Sequence, residues 1–333
     1  MNISWISPAS AFDASYFRQA YILGLAVLLI TGGNLFSAAF AVQFIFWIVL
    51  TAAFFGIFTR FFLLLLVLIG IRLFGYPPFT NTLTDYYLDL GLILVTARCA
   101  DAFTIDGLFQ ARSRGAAGDI HPPKNSIVYA WPLRAIWLMG IVGLTLAHPE
   151  NPLTFNVFLI VYAISFTPLS AMIRQTGQNL FPEPLFVVYD GNCKLCRGTA
   201  ASLNSIDEFG RLTYVNGMDE EQLKTYSLTH LDRQRLAEDI HVVSKGKVFT
   251  GFYGYREMAW RIPVFWLLIP LMYLQPFPQI AQKIYRKVAD SRGCSVVPAS
   301  VQLQWIDPPV RFIDGAAPAA VFLILLTGHL FNL

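Results

Sequence analysis

The sequence predicts a two-part chain, an α-helical multi-pass membrane region followed by a small soluble α/β domain. Two observations carry that expectation. The 333 residues are 55% hydrophobic with mean hydropathy +0.53, too apolar for an ordinary soluble protein of this length. Apolar runs crowd the first half, and the composition then shifts at Phe181-Pro182-Glu183-Pro184, a proline-stiffened linker. The expected divisions are a membrane region with about six spans over 1–180, an α/β domain over 181–295, and a tail over 296–333 holding one more candidate span.

In chain order, the first three apolar runs are Tyr16 to Thr31, Ala38 to Phe58 and Phe61 to Gly75, separated by Gly32-Gly33-Asn34 and Thr59-Arg60. The third is short against the roughly 20 residues that cross a bilayer. A fourth run, Tyr86 to Phe103, carries Asp89, Arg98 and Asp101. Ionisable residues inside a span are functional suspects by default, and the three-residue spacing of Arg98 and Asp101 also suits an ion pair on one helix face. Cys99 in the same run reads as a small packing residue. Thr104 to Ser126 is polar and turn-rich and is expected as a loop. Runs from Ile127 to Ala147 and from Leu153 to Met172 complete the set, joined by a turn at His148-Pro149-Glu150-Asn151-Pro152. His121 and His148 lie beside prolines and suggest no role.

Charge then sets an orientation, because cytoplasmic loops collect Lys and Arg. Six spans with the N-terminus inside put Arg18, Arg60, Arg112, Arg114, Lys124 and Arg174 on the cytoplasmic side and only Arg72 outside. The α/β domain then falls in the cytoplasm, and the expected setting is a bacterial inner membrane. The net charge of +3 is small and forms no basic stripe, so no nucleic acid partner is expected. The segment MNISWISPASAFDASYF lacks the basic start and short apolar core of a cleavable signal.

After the linker, Leu185 to Tyr189 is short, apolar and β-rich and reads as a buried strand, ended by the turn residues Asp190-Gly191-Asn192. A helix over 193–208, a strand over 211–216, helical segments across 219–238, and a hairpin of strands 240–244 and 247–251 turning at Lys245-Gly246 follow. A β-α-β unit, then a hairpin and a helix, is the order of a thioredoxin-like fold. Ile262 to Gln275 is apolar but interrupted by Pro263 and Pro270, and is expected as a core or interfacial segment rather than a crossing. Ala316 to Phe331 is the candidate last span.

Four cysteines, Cys99, Cys193, Cys196 and Cys294, are too few and scattered for a disulfide scaffold. Cys193 and Cys196 form a C-x-x-C where a strand hands over to a helix. The open amides and positive dipole end of a helix N-terminus favour a thiolate there, and Lys194 and Arg197 add positive charge. Cys196, about one turn on, is placed to attack a mixed disulfide formed at Cys193. Cys193 is the candidate attacking thiol and Cys196 the resolving one. Asp190 is a turn-forming residue, or a carboxylate that takes a proton from a thiol or raises its pKa; the roles are compatible.

At Asp190, Cys193 and Cys196 the chain resembles the DCC family of thiol-disulfide oxidoreductases, named for Asp-x-x-Cys-x-x-Cys. Gly251-Phe252-Tyr253-Gly254-Tyr255-Arg256-Glu257 is similar to the family's G-x-x-A-x-R-E, with Gly254 in the small position, and Tyr285 to Arg292 is similar to its Y-x-x-x-A-x-x-R. The resemblance implies a thioredoxin-like domain that exchanges thiols and disulfides. Such enzymes usually hold a cis-proline before the third strand, and Asp239-Ile240 offers none. The first half weakly resembles the HTTM-type multi-helix domains through Asp101-Ala102-Phe103-Thr104-Ile105-Asp106, with no chemistry carried over.

The leading expectation is a membrane-anchored protein-disulfide reductase acting through Cys193, Cys196 and Asp190 on a disulfide-containing protein or small thiol, with membrane lipid as its surroundings. It needs no cofactor and no metal. Two other readings stand beside it. One passes electrons from the dithiol to a quinone near Arg98, Asp101 or Asp89. The other makes the cysteines inert, or half of a metal or partner site completed by His230, His241 or Cys294. Cys294 reads as incidental.

Overall fold

The structure is a computed structural model and describes residues 10–32, 35–75, 82–117, 127–147, 152–232, 235–236, 239–290 and 312–331. Cys294, Arg292, His121 and His148 lie outside the described residues. Two compact units make up the chain: residues 1–107, 123–170 and 307–333 form the first, and residues 108–122 and 171–306 the second.

The first unit is helical. It contains α1 (Ala11–Thr31), α2 (Phe40–Phe55), α3 (Thr59–Phe74), α4 (Leu83–Thr96), the first residues of α5 (Ile105–Ala117), α6 (Ile127–Leu146), α7 (Pro152–Phe166) and the C-terminal helix Phe312–Phe331. A capping box starts α1, in which the Ser10 hydroxyl accepts from the Asp13 amide at 3.2 Å and the Asp13 carboxylate accepts from the Ser10 amide at 3.0 Å. Close helix approach depends on glycine: a Cβ on Gly24 would lie 2.2 Å from the Tyr87 hydroxyl, and one on Gly91 2.1 Å from that of Tyr21. The two tyrosine rings stack at 4.9 Å across that contact.

Among the described residues, two helices, Ala11–Thr31 and Val128–Leu146, are long and apolar enough to cross a membrane, and up to four spans result if each of two bent helix pairs counts as one. Phe40–Phe55 and Ala316–Phe331 are apolar but shorter.

The fourth apolar run departs from its expected form. Helix α4 stops at Thr96, and the chain over 97–104 is irregular. The Arg98–Asp101 pair does form, at 2.6 Å, but on this irregular segment rather than along a helix face. Asp101 also accepts from the Tyr129 hydroxyl at 2.6 Å, and Arg98 faces Asp314 of the C-terminal helix at 3.6 Å. Asp89 meets His329 at 2.5 Å. Arg18, expected at a cytoplasmic boundary, is fully buried and donates to the carbonyls of Cys99 and Phe54 at 3.0 and 3.2 Å.

The expected polar loop over 104–126 instead carries α5. Its Asp106 carboxylate accepts from the amides of Phe58 and Thr59 at 3.0 and 2.7 Å, capping α3. Polarity alone suggested a loop; the helix is carried by its small and apolar face.

The second unit holds Leu108 onward of α5, most of α8 (Leu169–Leu180) and a four-stranded mixed sheet. Its elements are β1 (Leu185–Tyr189), α9 (Lys194–Asn204), β2 (Leu212–Asn216), α10 (Glu220–Thr225), β3 (His241–Ser244), β4 (Lys247–Thr250), α11 (Phe252–Ala259), a 3₁₀ segment (Pro263–Leu268), α12 (Ile269–Tyr273) and α13 (Phe277–Asp290). Strand order is β2-β1-β3-β4, with β1 parallel to β2 and antiparallel to β3. Lys245 and Gly246 turn the hairpin with φ of 49° and 73°, the left-handed pair its two-residue turn demands.

Alternation along β1 sorts the core. Leu185 and Val187 pack with Leu203 and Ile206 near the end of α9 and with Met258 and Ile262, whereas Val188 joins Val215, Leu223 and Leu228. The sheet is thereby covered on both faces, and the C-terminal end of β1 delivers the chain to the cysteines.

Candidate dithiol site

The site begins where β1 ends. Asp190 Oδ1 accepts from the Asn192 amide at 2.8 Å, an Asx turn that reverses the chain within two residues. A Cβ on Gly191 would lie 2.2 Å from Asn216 Oδ1 at the end of β2, so only glycine lets the turn pass this close. Cys193 then takes the N-cap position of α9, extended at φ −87° and ψ 117°.

From the N-cap the Cys193 sulfur faces the first turn of α9. Its pKa is lowered from the ordinary thiol value to about 5. The Cys196 thiol, which hydrogen-bonds to it, is the chief cause; burial opposes the shift, while the amides of Cys196 and Leu195 reinforce it and the Asp190 carboxylate raises it slightly. The two cysteines thus lie close, with no disulfide between them. Access runs opposite to acidity: Cys193 is 3% exposed and Cys196 is half-buried.

Arg197 has a different place from the one its charge suggests. Its guanidinium donates to the carbonyl of Gly191 at 2.6 Å, of Ala116 at 2.8 Å and of Gly115 at 3.3 Å. It therefore ties the cysteine loop to the C-terminal end of α5 rather than acting as the main support of the thiolate. Lys194 is exposed. Helices α5 and α9 meet through small residues, since a Cβ on Gly115 would lie 2.5 Å from Ala201 Cβ and one on Gly198 3.0 Å from the Arg112 carbonyl. This clamp of Arg197, Gly115 and Gly198 was missed in the sequence, although the paired R-S-R-G-A-A and R-G-T-A-A runs carried its signal.

Among the described residues, those of the later motifs are brought together with one another. Gly251 opens α11 at φ 60°, and Gln282 of α13 accepts from the Phe252 amide at 2.9 Å. Tyr285 accepts from the Ile240 amide at 3.3 Å. Arg256 stacks over the rings of Tyr273 and Tyr253, at 4.3 and 5.1 Å. Among the described residues, no group of three or more His, Cys, Asp or Glu side chains is arranged to hold a metal ion.

The family model of DCC1-like thiol-disulfide oxidoreductases matches residues 187–294. This stretch is a DCC1-like domain. The match takes in Cys193, Cys196 and the residues of both later motifs, in agreement with the resemblance those motifs carried. No curated protein and no solved structure matches the chain. In the DCC1-like domain, Asp190 shapes the turn, α9 presents the cysteine pair and Arg197 fixes the loop between them.

Proposed function

We propose that the chain is a membrane-anchored thiol-disulfide oxidoreductase that cycles Cys193 and Cys196 between dithiol and disulfide. The observation that carries this reading is the N-cap placement of Cys193 with the Cys196 thiol hydrogen-bonded to it. The strand order β2-β1-β3-β4, with the pair at the junction of β1 and α9, supports a thioredoxin-like domain. The spans, with the N-terminus and the domain both on the cytoplasmic side of a bacterial inner membrane, are the anchor.

In the reducing direction, the Cys193 thiolate attacks one sulfur of a substrate disulfide and expels the other as a thiolate. The Cys196 thiol, losing its proton to solvent or to Asp190, then attacks the Cys193 sulfur. The substrate leaves reduced by two electrons and the enzyme disulfide forms. The substrates are disulfide-bearing proteins or small thiol compounds.

A second reading follows from the mismatch of access and acidity. In the oxidised form a substrate thiolate reaches the more exposed Cys196 sulfur, and Cys193 departs as a low-pKa leaving group. A second substrate thiol resolves the mixed disulfide, so that the substrate is oxidised and the dithiol restored.

Two single variants separate the directions. Offered a substrate disulfide, Cys196→Ser accumulates a mixed disulfide on Cys193 if Cys193 attacks first, whereas Cys193→Ser offered the same disulfide accumulates one on Cys196, with the other half expelled as a thiolate, if that sulfur is the contact point. Full exchange activity in Cys193→Ser ends both readings.

A further inference from the structure

The DCC1-like domain wears an apolar ridge that its own core does not use. On α13, Tyr285 and Gln282 face inward to the amides of Ile240 and Phe252, while Ile280, Ile284 and Val288 are 50%, 61% and 51% exposed. Leu267 in the 3₁₀ segment and Leu274 after α12 are exposed as well, Leu267 at 90%. Scattered exposed leucines need no explanation, but a helix stripe beside a neighbouring apolar corner marks a surface built for an apolar phase.

We infer that the outer face of α12 and α13 docks on an anionic lipid surface and holds the domain at the membrane interface. Charge complementarity selects this occupant. Lys283 and Lys287 are exposed and stand three residues after Ile280 and Ile284, so basic groups run alongside the apolar stripe. Arg286 is committed elsewhere, paired to Asp239 at 2.8 Å. Trp260 and Tyr273, both exposed and joined by a 3.1 Å hydrogen bond from the indole, supply the amphipathic rings that settle at headgroup depth. The same chain carries two helices long and apolar enough to cross a bilayer, so the proposed anchor would bring a lipid surface to the chain that bears this face.

The inference rests on the anchoring proposed above, and the test separates the two. A photoreactive benzoylphenylalanine is placed at Leu267 or Ile284, with Glu221 of α10 as the control position, in the full-length chain reconstituted into phosphatidylcholine vesicles containing phosphatidylglycerol. Mass spectrometry of the irradiated protein should find lipid adducts at 267 and 284 and none at 221. Adduct yield should fall at least about fivefold in Lys283→Glu/Lys287→Glu, or in phosphatidylcholine alone, as the electrostatic share is removed. Unchanged circular dichroism verifies that each variant is folded. Protein adducts at 267 and 284, to the chain's own helices or to a second copy, overturn the inference, as does a chain that floats with the vesicles yet gives no lipid adduct. An unchanged yield without phosphatidylglycerol overturns its anionic selectivity. A chain that does not float overturns the anchoring and this docking with it.

Discussion

At the level of single residues, the chemistry turns on how a buried sulfur is made acidic. Burial alone pushes a thiol pKa up; at Cys193 the Cys196 thiol and two helix amides outweigh it, and the value falls to about 5. The alkylation rate of Cys193, followed by mass spectrometry, should therefore fall to half its plateau near pH 5, where an ordinary cysteine does so about three units higher. The stability consequence has a definite sign. A folded pKa below the unfolded value stabilises the reduced protein above the unfolded pKa, and this stabilisation is lost as pH falls through about 5. Two neighbours hold the geometry. Gly191→Ala forces a Cβ into Asn216, and should slow dithiol exchange about tenfold or more, because an ångström of misplacement at a reacting centre costs that much. Arg197→Met frees three carbonyls and should lower exchange activity while leaving the fold intact by circular dichroism; unchanged kinetics would show that the loop holds itself.

At the level of elements, what was legible in the sequence was what local chemistry determines. The β1 strand, the Asx turn and the helix start follow from five apolar residues, an Asp-Gly-Asn and a C-x-x-C, and the hairpin from Lys245-Gly246, all within a few residues of one another. The helix over Ile105–Ala117 was not legible, because beside Leu108 its packed side is made of Ala111 and Gly115, too small to register as a helical stripe until Gly198 and Ala201 are seen opposite. The early end of α4 was hidden for a similar reason: the apolar run continues past Thr96, and the break is made by Arg98 turning to Asp101. Between α9 and β2 a buried carboxylate organises the connection. Asp207 accepts from the amides of Leu212 and Arg211 at 2.9 and 3.3 Å, yet burial raises its pKa to about 6. Since the folded value lies above the unfolded one, its stabilising contribution is complete below about pH 4 and is lost as pH rises through 6. The loss is on the order of 3 kcal/mol. Urea unfolding from pH 4 to 7 should show this downward slope, and Asp207→Asn should flatten it; an unaltered slope in the variant would assign it to other groups.

For the whole molecule, the question is what draws the C-terminal helix back onto helices that precede it by more than two hundred residues. Apolar packing supplies area but little register, because its residues are nearly interchangeable along a smooth helix. Polar pairs supply the register. His329 lies 2.5 Å from Asp89 with its ring stacked on Tyr86 at 4.0 Å, and near the other end of the same helix Asp314 faces Arg98 and Arg60, each at 3.6 Å. Two contacts of this kind, fifteen residues apart, fix both position and direction of the helix. Nothing local in the sequence could disclose them, since Asp89 and His329 are 240 residues apart. Breaking a buried pair from one side is costly, typically 3–5 kcal/mol, whereas replacing both partners with apolar residues is often neutral. His329→Leu in the detergent-solubilised full-length protein should accordingly lower the melting temperature by several degrees, and Asp89→Leu added to it should restore most of the loss. If His329→Leu melts like the parent, apolar packing alone holds the helix; if the double variant is no better than the single, His329 acts through its stacking on Tyr86 rather than through Asp89.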